Sequence, residues 1–110
     1  MSASGEIVTV KVCSVGELPD GRIKVFKVDG IEGVVIHVGD KFHACQRYCT
    51  HEKFPLEFGR LKDANTLCCT YHGAEFDLTT GGVKKLPAVR GIAIYEVRID
   101  GDDVLVDVPR

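Results

Sequence analysis

Four residues stand out for their chemistry: Cys49 and His51 in "CTH", and Cys69 and His72 in "CTYH". Thiolate and imidazole are ligands for soft and borderline metals. Neither stretch shows helical periodicity, so each pair is expected in a loop. Two loops that each give one sulfur and one nitrogen make four ligands. A closed tetrahedral zinc site would satisfy that count. Cys-x-His is nevertheless a tight spacing for wrapping a single ion. A two-iron cluster relaxes the constraint, because each loop can give its Cys to one iron and its His to the other.

Two cysteines on one iron and two histidines on the other is the Rieske arrangement of a [2Fe–2S] centre. The wider sequence carries the same resemblance. "CTH" and "CTYHGAEFD", with 17 residues between His51 and Cys69, resemble the C-x-H…C-x-x-H-G-x-x-F-D pattern of Rieske-type ferredoxins. The opening "KVCSVGELPDG", the later "LPAV" and the closing "IYEVRIDGDDVLVDV" resemble that family as well, so the likeness spans essentially the whole chain. It implies that Cys49 and Cys69 bind an inner iron and that His51 and His72 bind an outer, solvent-facing one. Gly73 would permit the tight turn after His72. Pro87 would cover a third side of the cluster. Phe54 and Tyr71 would shield it from water.

The resemblance also implies a class. Two ferric ions, two sulfides and two thiolates sum to a neutral oxidised cluster, which accepts an electron more easily than one held by four thiolates. High-potential members of cytochrome bc complexes carry a disulfide between the loops, where this chain has Phe54 and Tyr71. They also carry hydroxyl donors to the cluster and a ligand sulfur, where this chain has Ala74 and Phe76. Hydroxyl donors stabilise the extra negative charge of the reduced state, so their loss lowers the potential.

The elements that must position these residues read as strands and turns. "EIVTVKV" is rich in β-branched residues. "LPDG" and "DG" at Asp29–Gly30 are turn signals. "RIKVFKV" alternates, with Ile23 and Val25 opposite Lys24 and Phe26. "VVIHV" and "KFHA" follow. Period-2 alternation fades from about Cys45 to Asp77 and returns in "IAIYEVRI" and "VLVDV", where Val104, Val106 and Val108 fall in register. The expected fold is all-β: a small antiparallel barrel or sandwich base. A loop-rich cluster-binding subdomain, about residues 45–77, is inserted in it. The 110 residues suit a single domain, 1–110.

A net charge of −2 with scattered basic residues argues against nucleic acid. No segment reaches the ~18 apolar residues of a membrane span. The N-terminus lacks a basic, apolar signal core. A cytoplasmic monomer is the expectation, with five cysteines serving metal or redox chemistry rather than a disulfide framework. Cys13 reads as a small apolar strand residue. Cys45 and Cys68 read as packing residues, with a bridge between the two cluster-bearing segments left open. His37 and His43 read as satisfied or surface histidines. Arg47, Lys53, Lys84 and Lys85 read as a solvated rim near the cluster.

The resemblance implies an electron carrier rather than an enzyme. It would take one electron from an NAD(P)H-linked flavoprotein reductase and pass it to an oxygenase or another acceptor. Its contacts would be transient, below roughly 1,200 Å². A small subunit of a larger redox enzyme and a zinc-stabilised interaction module are the alternatives. With Ala74 and Phe76 in place of hydroxyl donors, potentiometry should give a midpoint near the lower end of the roughly −150 to +300 mV Rieske range. A midpoint above roughly +100 mV, well inside that range, would contradict this assignment.

Overall fold

The computed structural model describes residues 7–49, 54–69, 73–85 and 91–109. Among the described residues, ten strands form two antiparallel sheets. Six of them make the base: β1 (Ile7–Ser14), β2 (Ile23–Val28), β3 (Ile31–Val38), β4 (Lys41–Gln46), β9 (Ile94–Asp100) and β10 (Asp103–Pro109). Their order is β1-β10-β9-β4-β3-β2, and the two edge strands, β1 and β2, also lie against each other. The other four are β5 (Arg60–Asp63), β6 (Thr66–Cys68), β7 (Glu75–Asp77) and β8 (Val83–Lys85), adjacent in that order. Among the described residues no helix is long and apolar enough to cross a membrane.

The turns form where the sequence places its glycines. β2 and β3 are joined at Asp29–Gly30, both at positive φ, as a two-residue hairpin requires. The short 3₁₀ turn Val15–Glu17 is closed by the Ser14 N–H donating to the Glu17 carboxylate at 2.6 Å.

Two cores result. One lies within the base and holds Cys13, Leu18, Phe26, Val35, Ala44, Val104, Val106 and Val108. The other lies between the base and the small sheet and holds Val34, Ile36, Cys45, Leu56, Leu67, Phe76, Leu78 and Ile92 together with Cys49 and Cys69. β3 sends Val35 into the first core and Val34 and Ile36 into the second. β4 does the same with Ala44 and Cys45. A strand buried on both faces reads as a continuous apolar run, which is why "VVI" shows no alternation. β2 is also apolar on both sides: Phe26 enters the first core, while Ile23 and Val25 pack against the second.

The stretch read as loop-rich contains its own sheet. The alternation fades there because β6 and β7 are three residues each, and every residue of β6 is buried. Cys45 sits in β4 of the base, and the small sheet runs on past Asp77 to Lys85.

Gly33 is the tightest point of the shared wall. It pairs with Phe26 across the β2–β3 ladder. A Cβ at this position would lie 2.4 Å from the Phe26 ring and 2.9 Å from the Cys45 carbonyl oxygen. The ring fills the space that the glycine leaves and meets Tyr95 edge-on at 6.2 Å. Gly33→Ala should therefore destabilise the fold by about 1–3 kcal/mol, the range for overpacking a core. Thermal denaturation should show this as a melting temperature at least roughly 4 °C lower.

Candidate metal centre

Cys49 follows β4 and Cys69 follows β6, so each thiol is delivered by the end of a strand. Both are almost fully buried, at 2% and 1% exposure, and both belong to the core between the sheets. The loops they open are closed in the same way. The Cys49 N–H donates to the Phe54 carbonyl at 2.9 Å, and the Cys69 N–H donates to the Ala74 carbonyl at 2.7 Å. In both cases the acceptor lies five residues on. His51 and His72 fall inside these two closures in sequence, although one follows its Cys by two residues and the other by three. The second loop is tightened by the Gly73 N–H donating to the Cys69 carbonyl at 2.8 Å, with Gly73 at φ +79°. That is the turn conformation expected of this glycine.

The backbone that follows the first loop also lies against the strand that leads into the second. After Phe54 the chain makes a 3₁₀ turn, Leu56–Phe58, and reaches Gly59. A Cβ on Gly59 would lie 2.6 Å from the Cys68 carbonyl oxygen. Only a glycine lets the tail of the first loop come so close to the backbone that leads into Cys69.

The first loop has an ionic tie to the base. The Arg47 guanidinium donates from Nε and Nη2 to the Glu57 carboxylate, the latter at 2.7 Å, and from Nη1 to Glu32 on β3. It also lies over the Tyr48 ring, and Tyr48 bridges to Pro55. The Leu56 N–H donates to the Arg47 carbonyl at 2.6 Å. Arg47 is thus a structural tie rather than part of a solvated rim. Lys84 is similarly engaged, donating to the hydroxyl of fully buried Thr66 at 2.7 Å.

Of the residues expected around a cluster, Ala74 and Phe76 are fully buried in the same core as the two thiols. Neither carries a hydroxyl. Phe54 packs against that core and meets the ring of Phe58 edge-on at 6.3 Å. His51, His72, Tyr71, Pro87 and Lys53 lie outside the described residues. Among the described residues no three His, Cys, Asp or Glu side chains are grouped to hold a metal ion, and two of the four expected ligands are not among those residues. The donor set that is described fits a two-thiolate iron: two thiols in one dry core, each at the start of a closed loop. A thiolate there, cut off from water, is stable only beside a compensating positive charge.

The other cysteines and histidines take structural places. Cys13 and Cys45 are core residues, and burial pushes the Cys45 thiol up to about 12, so it stays protonated. The His37 ring is satisfied by the Leu18 carbonyl at 2.6 Å and stacks on Phe42. Burial lowers His43 below the ordinary imidazole value. Sequence reasoning missed Gly59 and Gln46, which hold the loops without touching them through charge or sulfur. Their signal was composition alone, a glycine after the first loop and a lone glutamine.

The chain is similar to several known proteins. The family model described as "Rieske [2Fe-2S] domain" matches residues 8–96. The ferredoxin component of biphenyl 2,3-dioxygenase from Rhodococcus jostii (strain RHA1) is 39% identical over 99 residues, covering 89% of this chain and 91% of that protein. The ferredoxin of carbazole 1,9a-dioxygenase from Nocardioides aromaticivorans IC177 superposes with a TM-score of 0.86 at 32% identity, covering 93% of this chain and 98% of that one. A chain in the complex of reduced oxygenase and oxidized ferredoxin in carbazole 1,9a-dioxygenase superposes with a TM-score of 0.82 at 30% identity, covering 89% and 91%.

Cys45 and Cys68 are both unbridged thiols in the structure. Thiol titration of the metal-stripped, denatured and unreduced protein should therefore count all five cysteines. A count of three would reveal a disulfide.

Proposed function

The chain belongs to the Rieske [2Fe-2S] domain family, and from that premise we propose that it carries single electrons to an oxygenase. The observation that carries this reading is the pair of buried thiols, Cys49 and Cys69, in one core behind two identically closed loops. Cys49 and Cys69 would hold one iron as thiolates, and His51 and His72 would hold the other. When bound, the cluster supplies a one-electron couple and no bond-making chemistry.

The chain's own residues do the rest. The core around the thiols excludes water from the sulfur side. The Phe54 and Ala74 carbonyls hold the backbone N–H of each ligand cysteine. Ala74 and Phe76 offer no hydroxyl to a sulfur, which favours a low potential. Phe54 and Gly73 belong to the two loop closures, and the resemblance adds Pro87 and Tyr71 as residues that would shield the cluster. The subdomain that holds the cluster takes in the two ligand loops and the small sheet, within a single domain.

An oxygenase as acceptor is supported by the relatives, which are ferredoxins of dioxygenase systems, one of them in a complex with its oxygenase. The donor is a flavoprotein reductase, and the compartment is the cytoplasm. Both partners dock transiently.

The purified protein should contain iron and acid-labile sulfide in equal amounts. It should absorb visible light, and its reduced form should give an EPR signal with average g below 2. Cys69→Ser should lose iron, sulfide and colour together. A colourless, sulfide-free wild-type protein from aerobic isolation would refute the electron-carrier reading.

A further inference from the structure

Gln46 is the chain's one glutamine, and it ends β4 three residues before Cys49. Its half-buried side chain lies between two pieces of backbone. Nε2 donates to the Tyr48 carbonyl at 2.7 Å. Oε1 accepts from the Ala93 N–H, also at 2.7 Å. The Gln46 main-chain N–H donates to the Ala93 carbonyl at 2.9 Å. An amide has one donor end and one acceptor end, so a carbonyl on one side and an N–H on the other fix its orientation.

The Tyr48 carbonyl and the Cys49 N–H belong to one planar peptide. Gln46 holds the oxygen of that plane. The Phe54 carbonyl holds its hydrogen, at 2.9 Å. With both ends of a rigid plane fixed, the Cys49 Cα has little freedom left. Ala93 lies where the chain returns toward β9, so the same side chain ties the first loop to that return. The β3–β4 ladder needs only the backbone of Gln46, which pairs with Gly33. An apolar side chain of equal size would keep the strand and lose both amide bonds.

We propose that Gln46 is a positioning residue for Cys49, setting the Tyr48–Cys49 peptide and locking it to Ala93. This rests on the reading of Cys49 as a ligand. Groups that orient a metal ligand typically change metal affinity by about 10–100-fold when removed.

The test compares the wild-type holoprotein with Gln46→Leu and Gln46→Glu. Val106→Ala, in the other core, serves as a control for general loss of stability. Gln46→Leu removes both bonds. Gln46→Glu keeps the acceptor for Ala93 and loses the donor to Tyr48. Both variants should bleach about tenfold faster than wild type at a fixed temperature, and both should show altered g-values in the reduced EPR spectrum. Val106→Ala should melt lower with an unchanged spectrum. Unaltered spectra and bleaching rates in both Gln46 variants would overturn the proposal. So would the same spectral change in Val106→Ala, because the spectrum would then follow stability alone. Should Gln46→Leu fail to fold, Gln46→Glu decides by the same readouts. Sulfide missing from the wild type would instead overturn the reading of Cys49 as a ligand, and the positioning role with it.

Discussion

Burial of two thiols in one apolar core is the constraint on which the rest of the structure depends. A neutral thiol is content there, but a thiolate is not unless a cation compensates it. Cys49 and Cys69 both belong to the core between the two sheets, and each is almost fully buried. Neither sheet provides this alone. Cys49 comes from the end of a base strand and Cys69 from the end of a small-sheet strand, and the apolar residues around them come from both. The two thiols and the packing of the two sheets thus share one set of apolar residues.

The wall between the two cores serves both. β3 and β4 bury side chains on each face, so a single layer of backbone separates the two cores. Gly33 shows how little slack exists: its missing side chain is replaced by a phenyl ring from one side and approached by the Cys45 carbonyl. The same end of β4 then carries Gln46 and Arg47. One binds backbone on either side of it, and the other binds two carboxylates. The first loop thus leaves a rigid strand through two consecutive anchored residues. An electron carrier gains from such rigidity, because a site that does not rearrange with its charge keeps the same geometry in both oxidation states.

The second loop is held by different means toward the same end. Its closure copies that of the first, from a Cys N–H to the carbonyl five residues on, although its histidine is one residue further along. Gly73 turns the chain at the end of the second loop at a positive φ. Gly59 then lets the two loops share a backbone contact.

The cysteine and histidine pairs, their spacing, the turn glycines and the alternating strands β9 and β10 were all legible in the chain itself. They depend on local chemistry: a thiolate, an imidazole, a positive φ or a period of two is a property of a few neighbouring residues. The family resemblance rested on the same short motifs. What only the tertiary structure decided are the relations between distant segments. These are the division of "VVI" between two cores, the small sheet inside a stretch that reads as loop, the unbridged thiols of Cys45 and Cys68, and the contacts of Gln46 with Ala93 and Gly59 with Cys68. Short strands buried on both faces leave no periodic trace. A hydrogen bond between residues 46 and 93 exists only once two sheets have brought them together.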